Sequence, residues 1–183
     1  MIGFFVRRLE KSVALKSERR PVPEFAAQSL FKSSTATIRD VYCQGRCRHQ
    51  CAEECATATE VVFPYRGVYV RHLGHDQAVA EANQVLFFNA SEGYRVSHPV
   101  PGGDASLSLA ISEPQLRELA PVTFLRDGAT LAFRRQRLRI DARTQALVAL
   151  LRHGLRQNIA EPLEAEGLAL AGVRFWRGPT TSG

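Results

Sequence analysis

Apolar and polar positions alternate most clearly between residues 60 and 112. In VVFPYRGVYVRHL (61–73), β-branched and aromatic residues flank Arg66 and Gly67, the composition of two strands joined by a tight hairpin or bulge. Residues 78–80 predict a short strand, 81–83 a turn and 85–89 (VLFFN) a buried strand. Tyr94, Val96 and His98 fall on one face of the next strand, since alternate residues point the same way, and Leu107, Leu109 and Ile111 line one face of a further one. Ahead of these, residues 36–42 (ATIRDVY) alternate well enough for an edge strand. Five or six short strands at close, even spacing predict a sandwich or small barrel.

The pattern changes on either side. Residues 1–20 carry Phe5, Leu9 and Val13 at helical spacing, but Pro21 and Pro23 stop any helix, and a flexible arm is expected. After the strands, Ser112 and Pro114 mark a helix start, Asp127–Gly128 a turn, and residues 130–139 mix strand and loop character. Asp141 caps a longer helix over 142–157, where Leu147, Leu150, Leu151 and Leu155 form an apolar stripe. That stripe suits either packing on the barrel's outer surface or a dimer seam. Residues 162–170 begin another helix, broken by Gly167 and Gly172. The division expected is an arm at 1–20, a β domain at 21–140, a helical region at 141–170 and an irregular tail at 171–183.

Composition narrows this little. The chain has 183 residues, 45% hydrophobic and 23% charged, enough for one domain with a proper core. The longest apolar runs fall far short of a membrane helix, and MIGFFVRR reverses the charge order of a secretory signal, so a cytoplasmic protein is expected. A net charge of +6 favours acidic partners, although the basic runs at 7–20 and 134–139 also read as solvated faces. No nucleophile elbow, phosphate loop, HExxH or paired-carboxylate pattern occurs.

The chemistry-bearing residues lie in two groups. Cys43, Cys47, Cys51 and Cys55 are all the cysteines of the chain, in a C-x3-C-x3-C-x3-C series. Four thiolates suit Zn²⁺ or an iron–sulfur cluster. A straight helix would spread them over about 18 Å, so a loop through Gly45 is the form that wraps a metal, with His49 a further ligand. Two readings compete: a thiol switch, with Arg46 and Arg48 favouring thiolates, and a plain surface loop. The second group is HPVPGGD, residues 98–104. His98 is expected to hydrogen-bond within this loop and Asp104 to accept backbone N–H groups, while Gly102 and Gly103 supply positive φ. A barrel metal on His72, His75 and His98 is disfavoured, because no H-x-H pair followed by Glu is present and His72 and His75 face opposite ways on a strand.

GVYVRHL, then VLFFNASEGYRVSHPVPGGD, then SLSLAIS together resemble the amino-terminal ligand-sensing domain of AraC-type transcription regulators, over about residues 22–170. The resemblance implies a mainly β fold: a cupin-like, double-stranded β-helix barrel followed by two or three helices that often dimerise, here through 142–157. It implies a small-molecule, redox or metal effector, no catalysis, and DNA contact only through a helix-turn-helix domain that follows in full-length members. This chain is expected to stop before that domain, as a truncated product or a stand-alone sensor. Phe63 and Tyr94 are the expected effector-pocket residues. The alternatives are a metal-dependent cupin enzyme and a truncated dimerisation partner of intact regulators.

Overall fold

The computed structural model describes residues 24–126, 128 and 131–174. The readings for the 1–20 arm, for Asp127 and Thr130, and for residues 175–183 of the tail lie outside this range. Among the described residues there are twelve strands: β1 (Phe25–Lys32), β2 (Ala36–Cys43), β3 (Glu54–Cys55), β4 (Glu60–Arg66), β5 (Tyr69–Leu73), β6 (Asp76–Ala80), β7 (Gln84–Phe88), β8 (Gly93–Ser97), β9 (Asp104–Ile111), β10 (Leu125–Arg126), β11 (Ala132–Phe133) and β12 (Arg137–Arg139). Three helices follow or interleave them: α1 (Glu113–Leu119), α2 (Ala142–Arg156) and α3 (Pro162–Arg174).

The pairing is nested and antiparallel. Strand β2 pairs with β9, β3 with β8, β4 with β7 and β5 with β6, as in one long hairpin. Successive pairs fall alternately in a six-stranded sheet (β1-β2-β9-β4-β7-β12) and a four-stranded one (β3-β8-β5-β6). A hairpin rolled up in this way is a double-stranded β-helix, the jelly-roll solution that cupins share. The fold is therefore mainly β, a cupin-like barrel with helices attached, as expected.

Both faces of the larger sheet are covered. On one, Ile38, Val61, Phe63, Val85, Phe87, Leu107 and Leu109 pack against Leu116, Leu119, Val148, Leu151 and Leu155 of the helices. On the other, Val62, Leu86 and Phe88 meet Tyr69, Ala78 and Ala80 of the smaller sheet, with Tyr94 and Val96 half-buried alongside. This second layer is the barrel interior. Period-2 alternation thus sorts neighbouring residues between a helix side and an interior side.

Five local expectations change. The strand at 36–42 is not an edge: β2 is hydrogen-bonded to β1 and β9, and β1, with no clear alternation of burial, is the edge. Arg66–Gly67 does not close a hairpin, because β4 pairs with β7 and β9 and the chain there crosses between sheets. A bulge between Pro64 and Arg66 accommodates the proline, as a strand interior otherwise would not. The buried stripe of α2 is Thr144, Val148, Leu151 and Leu155, whereas Leu150 is 55% exposed. At about 100° per residue Leu150 falls well round the helix from that stripe, so the four leucines do not all face inward. Helix α3 runs through Gly167 and Gly172 to Arg174, so the tail's first four residues are helical. Packing overrides the modest cost of glycine there. Asp141 caps α2 as expected, accepting the Thr144 N–H at 2.8 Å, and Ser112 sits at the N-cap of α1 without a side-chain cap bond.

Candidate functional site

The nested pairing places Cys43 opposite Asp104 on the last rung between β2 and β9. Directly opposite residues share a face, so the thiol and carboxyl lie side by side. His98, one residue past β8, closes over them. Its backbone N–H donates to the Cys47 carbonyl at 2.9 Å, and its Nε2 meets Asp104 Oδ2 at 2.7 Å. The Gly45 N–H donates to Cys43 Sγ at 3.4 Å. A thiol, an imidazole nitrogen and a carboxylate oxygen thereby lie within 4.8 Å of one another, with His98 and Asp104 only 3% and 6% exposed.

Two loops must approach to build this cluster, and glycine permits it. A Cβ on Gly103 (φ +70°) would lie 2.3 Å from the Cys43 carbonyl oxygen, and one on Gly67 (φ +73°) 2.1 Å from the Gly103 carbonyl oxygen. Gly102 also has positive φ, as expected, but faces open space. Asp104 differs from its expected role, since its carboxylate engages the His98 ring rather than backbone N–H groups. Burial pushes the Asp104 carboxyl above the ordinary range, with His98 and Arg66 pulling it back. Burial likewise raises the Cys43 thiol; the Gly45 N–H opposes this and Asp104 adds to it.

The structure does not gather the four cysteines into one cluster. Residues 44–53 are irregular, so the loop reading holds over the helical one. The Cys51 thiol is hydrogen-bonded to the Cys47 thiol and lies near Cys43, all three being free. Cys55 is exposed on β3 opposite Gly93, roughly 15 Å along the chain direction from His98. His49 is exposed, and its backbone carbonyl, not its ring, accepts from Cys47 Sγ at 3.0 Å. The expected activation of thiols by Arg46 and Arg48 is not found at Cys51. Both arginines are exposed, and burial with the neighbouring Cys47 thiol pushes Cys51 up to about 12.

Deeper in the barrel lies a polar layer that sequence reasoning missed. Arg71 is fully buried; its guanidinium donates to the Phe87 carbonyl at 2.5 Å and to Glu92 Oε2 at 3.0 Å. It stacks on Phe88 at 4.0 Å and faces Tyr94 at 5.4 Å, while its Nε has no partner among the described residues. Burial pulls Arg71 below the usual range and Glu92 holds it up. Beside it Glu60 accepts from both Arg39 and Ser108, and Tyr94 donates to Glu54 at 3.0 Å. Of the two expected pocket residues, Tyr94 belongs to this interior. Phe63 lies on the helix side, lining a groove of about 540 Å³ against α2. The structure does not bring them together. His72 bonds Ser97 Oγ at 2.8 Å, and His75 is exposed in the β5–β6 turn, so neither joins His98.

A second missed residue ties barrel to helix. Asp40, on the helix side of β2, accepts from Tyr65 at 2.5 Å, Arg152 at 3.3 Å and Arg156 at 3.0 Å. The signal for both misses was present: a charged residue at an otherwise apolar register position, Asp40 after Ile38 and Arg71 after Tyr69.

No family model matches the chain, and no curated protein matches it. Solved structures similar to it include a cupin superfamily protein from Desulfitobacterium hafniense DCB-2, with 14% identity and a TM-score of 0.40, covering 52% of this chain and 94% of that one. A cupin domain from Bordetella pertussis Tohama I has 9% identity and a TM-score of 0.39, covering 49% and 95%. A putative mannose-6-phosphate isomerase from Ralstonia eutropha JMP134 has 14% identity and a TM-score of 0.42, covering 57% and 99%.

Proposed function

We propose that this chain is the effector-sensing domain of an AraC-type transcription regulator, non-enzymatic and cytoplasmic, in which a signal at the barrel mouth is passed to α2. The resemblance of the central segments supports this reading. The observation that carries it is the double duty of β2. Cys43 at its end faces the interior cluster, and Asp40 three residues earlier holds Arg152 and Arg156 of α2. Any shift of β2 at the mouth moves the anchor of the helix. An effector acts through such a link only by binding one arrangement better than the other.

Association through the outer face of α2, where Leu150 is exposed, completes the reading. No helix among the described residues is long and apolar enough to cross a membrane. The test is a fusion of the full chain to a helix-turn-helix DNA-binding domain that represses a reporter only as a dimer. Repression is expected, lost in Leu150→Glu, and in the parent but not in Asp40→Ala it changes when Zn²⁺ or an oxidant is supplied. Absence of repression in a soluble, folded fusion removes the dimeric sensor reading.

The metal-ligand character of Cys43, His98 and Asp104 favours one other reading, a metal-dependent cupin enzyme. Turnover of a substrate by the metal-loaded chain, abolished in Asp104→Asn, would replace the first proposal with it.

A further inference from the structure

The cluster at the barrel mouth has a donor set that neither a thiol switch nor a four-cysteine centre explains. We propose that Cys43, His98 and Asp104 form a zinc site, to which Cys55 does not contribute. This names the ligand of the site used in the sensing reading, but it stands on the geometry of the cluster alone.

His98 Nδ1 faces the Cys47 carbonyl at 3.3 Å, an acceptor to which an Nδ1–H donates. The second ring nitrogen, Nε2, is held against Asp104 Oδ2 at 2.7 Å, a distance that places a proton between them. That proton occupies the position a cation would take between two good ligand atoms. An imidazole whose far N–H is fixed by a carbonyl is the usual outer arrangement of a metal-bound histidine. Here the carbonyl comes from the cysteine loop itself, which seats the ring before any metal arrives.

Geometry and donor type agree. Tetrahedral zinc takes sulfur at about 2.3 Å and nitrogen or oxygen at about 2.0–2.2 Å, so its ligand atoms sit roughly 3.2–3.7 Å apart. The three donors already lie within 4.8 Å, and closing the set needs side-chain movements of about an ångström. Mixed sulfur, nitrogen and single carboxylate ligation selects zinc over magnesium or calcium, which need oxygen cages. The backbone is prepared for it: the Gly45 N–H points at Cys43 Sγ, where it stabilises a thiolate. On binding, Zn²⁺ displaces the Cys43 thiol proton and the proton shared by His98 and Asp104, and both leave to solvent. The buried carboxylate and the new thiolate then face a divalent cation in place of each other.

Cobalt(II) is the probe, added to the metal-stripped full chain under anaerobic conditions. One equivalent is expected to produce tetrahedral visible bands with thiolate-to-cobalt charge-transfer absorption, bleached by Zn²⁺. Cys43→Ser is expected to remove the charge-transfer band or to weaken binding at least tenfold. Asp104→Asn and His98→Gln are expected to weaken it similarly, and Cys55→Ser to leave spectrum and affinity unchanged. Far-ultraviolet circular dichroism and urea midpoints identify any variant that fails to fold; Cys43→Ser, with its half-buried, near-isosteric change, decides the matter if His98→Gln does not fold. The proposal is overturned if no cobalt spectrum appears, if Cys43→Ser binds as the parent does, or if Cys55→Ser alone abolishes binding. Because the readout is metal and not association, its failure leaves the reporter experiment on the sensing reading intact.

Discussion

The two faces of the six-stranded sheet differ sharply, although the same strands build both. Along β9, Leu107, Leu109 and Ile111 turn to the helices, and Asp104, Ser106 and Ser108 turn inward. The outer layer is mostly hydrocarbon, with the buried Asp40 held by Tyr65, Arg152 and Arg156. The inner one carries Arg39, Glu60 and Asp104 among its aromatic and aliphatic residues, and Arg71 of β5 and His98 of the loop after β8 meet it across the interior. Burying an apolar side chain contributes about 1.5–3 kcal/mol, whereas a buried ion pair returns little net stability after desolvation. The helix side therefore holds the domain together, and the interior keeps groups whose presence stability does not explain. Such groups are what a binding site needs.

Three measurements sharpen or break this contrast. The largest effect is expected at Glu92. Glu92→Ala strands the fully buried Arg71 guanidinium and should cost about 3–5 kcal/mol in urea denaturation. The double change Arg71→Met with Glu92→Leu should recover most of that. If the double variant is as unstable as the single one, the interior pair is structural after all and the contrast fails. Next come two neighbours on β9. Leu107→Ala is expected to cost about 2–5 kcal/mol and Ser108→Ala, which loses one hydrogen bond to Glu60, about 0.5–1.5 kcal/mol. An equal or reversed order would show that the interior face carries the stability. The smallest effect leaves stability untouched. With the Cys51 thiol pushed up to about 12, its thiolate is scarce at pH 8. In metal-stripped protein its alkylation should be slow there and climb about tenfold per pH unit up to pH 11, because only the thiolate reacts. Cys55, exposed on β3, should label first. Fast labelling of Cys51 at pH 7, levelling off by pH 9, would restore the switch reading of the cysteine loop.

Much of the barrel was legible because alternation is a local property. Leu107, Leu109 and Ile111 announce a buried face without reference to any partner strand, and Asp141 announces a helix start through its own backbone reach. Positive φ at Gly102 and Gly103 followed from composition in the same way. The candidate site was only half legible. His98 bonding within its own loop was readable from HPVPGGD, but its partner there, and the arrival of Cys43 beside it, depend on pairing residues about sixty positions apart. The cysteine spacing invited a single four-thiol centre, and nothing in the spacing shows that β3 carries Cys55 off to pair with β8.

Sequence alone determined which stretches alternate, where helices begin, and that a histidine–aspartate loop stands at the centre of the chain. Those features follow from side-chain chemistry and backbone preference within a few residues. Tertiary structure decided which face each alternating strand buries against what, that Asp40 lies under α2, that Arg71 is enclosed in the barrel, and that Cys43 rather than Cys55 joins His98 and Asp104. Those outcomes rest on strand register, and register is set by the nested hairpin as a whole, since shifting one strand by a single residue would exchange every inward group for an outward one.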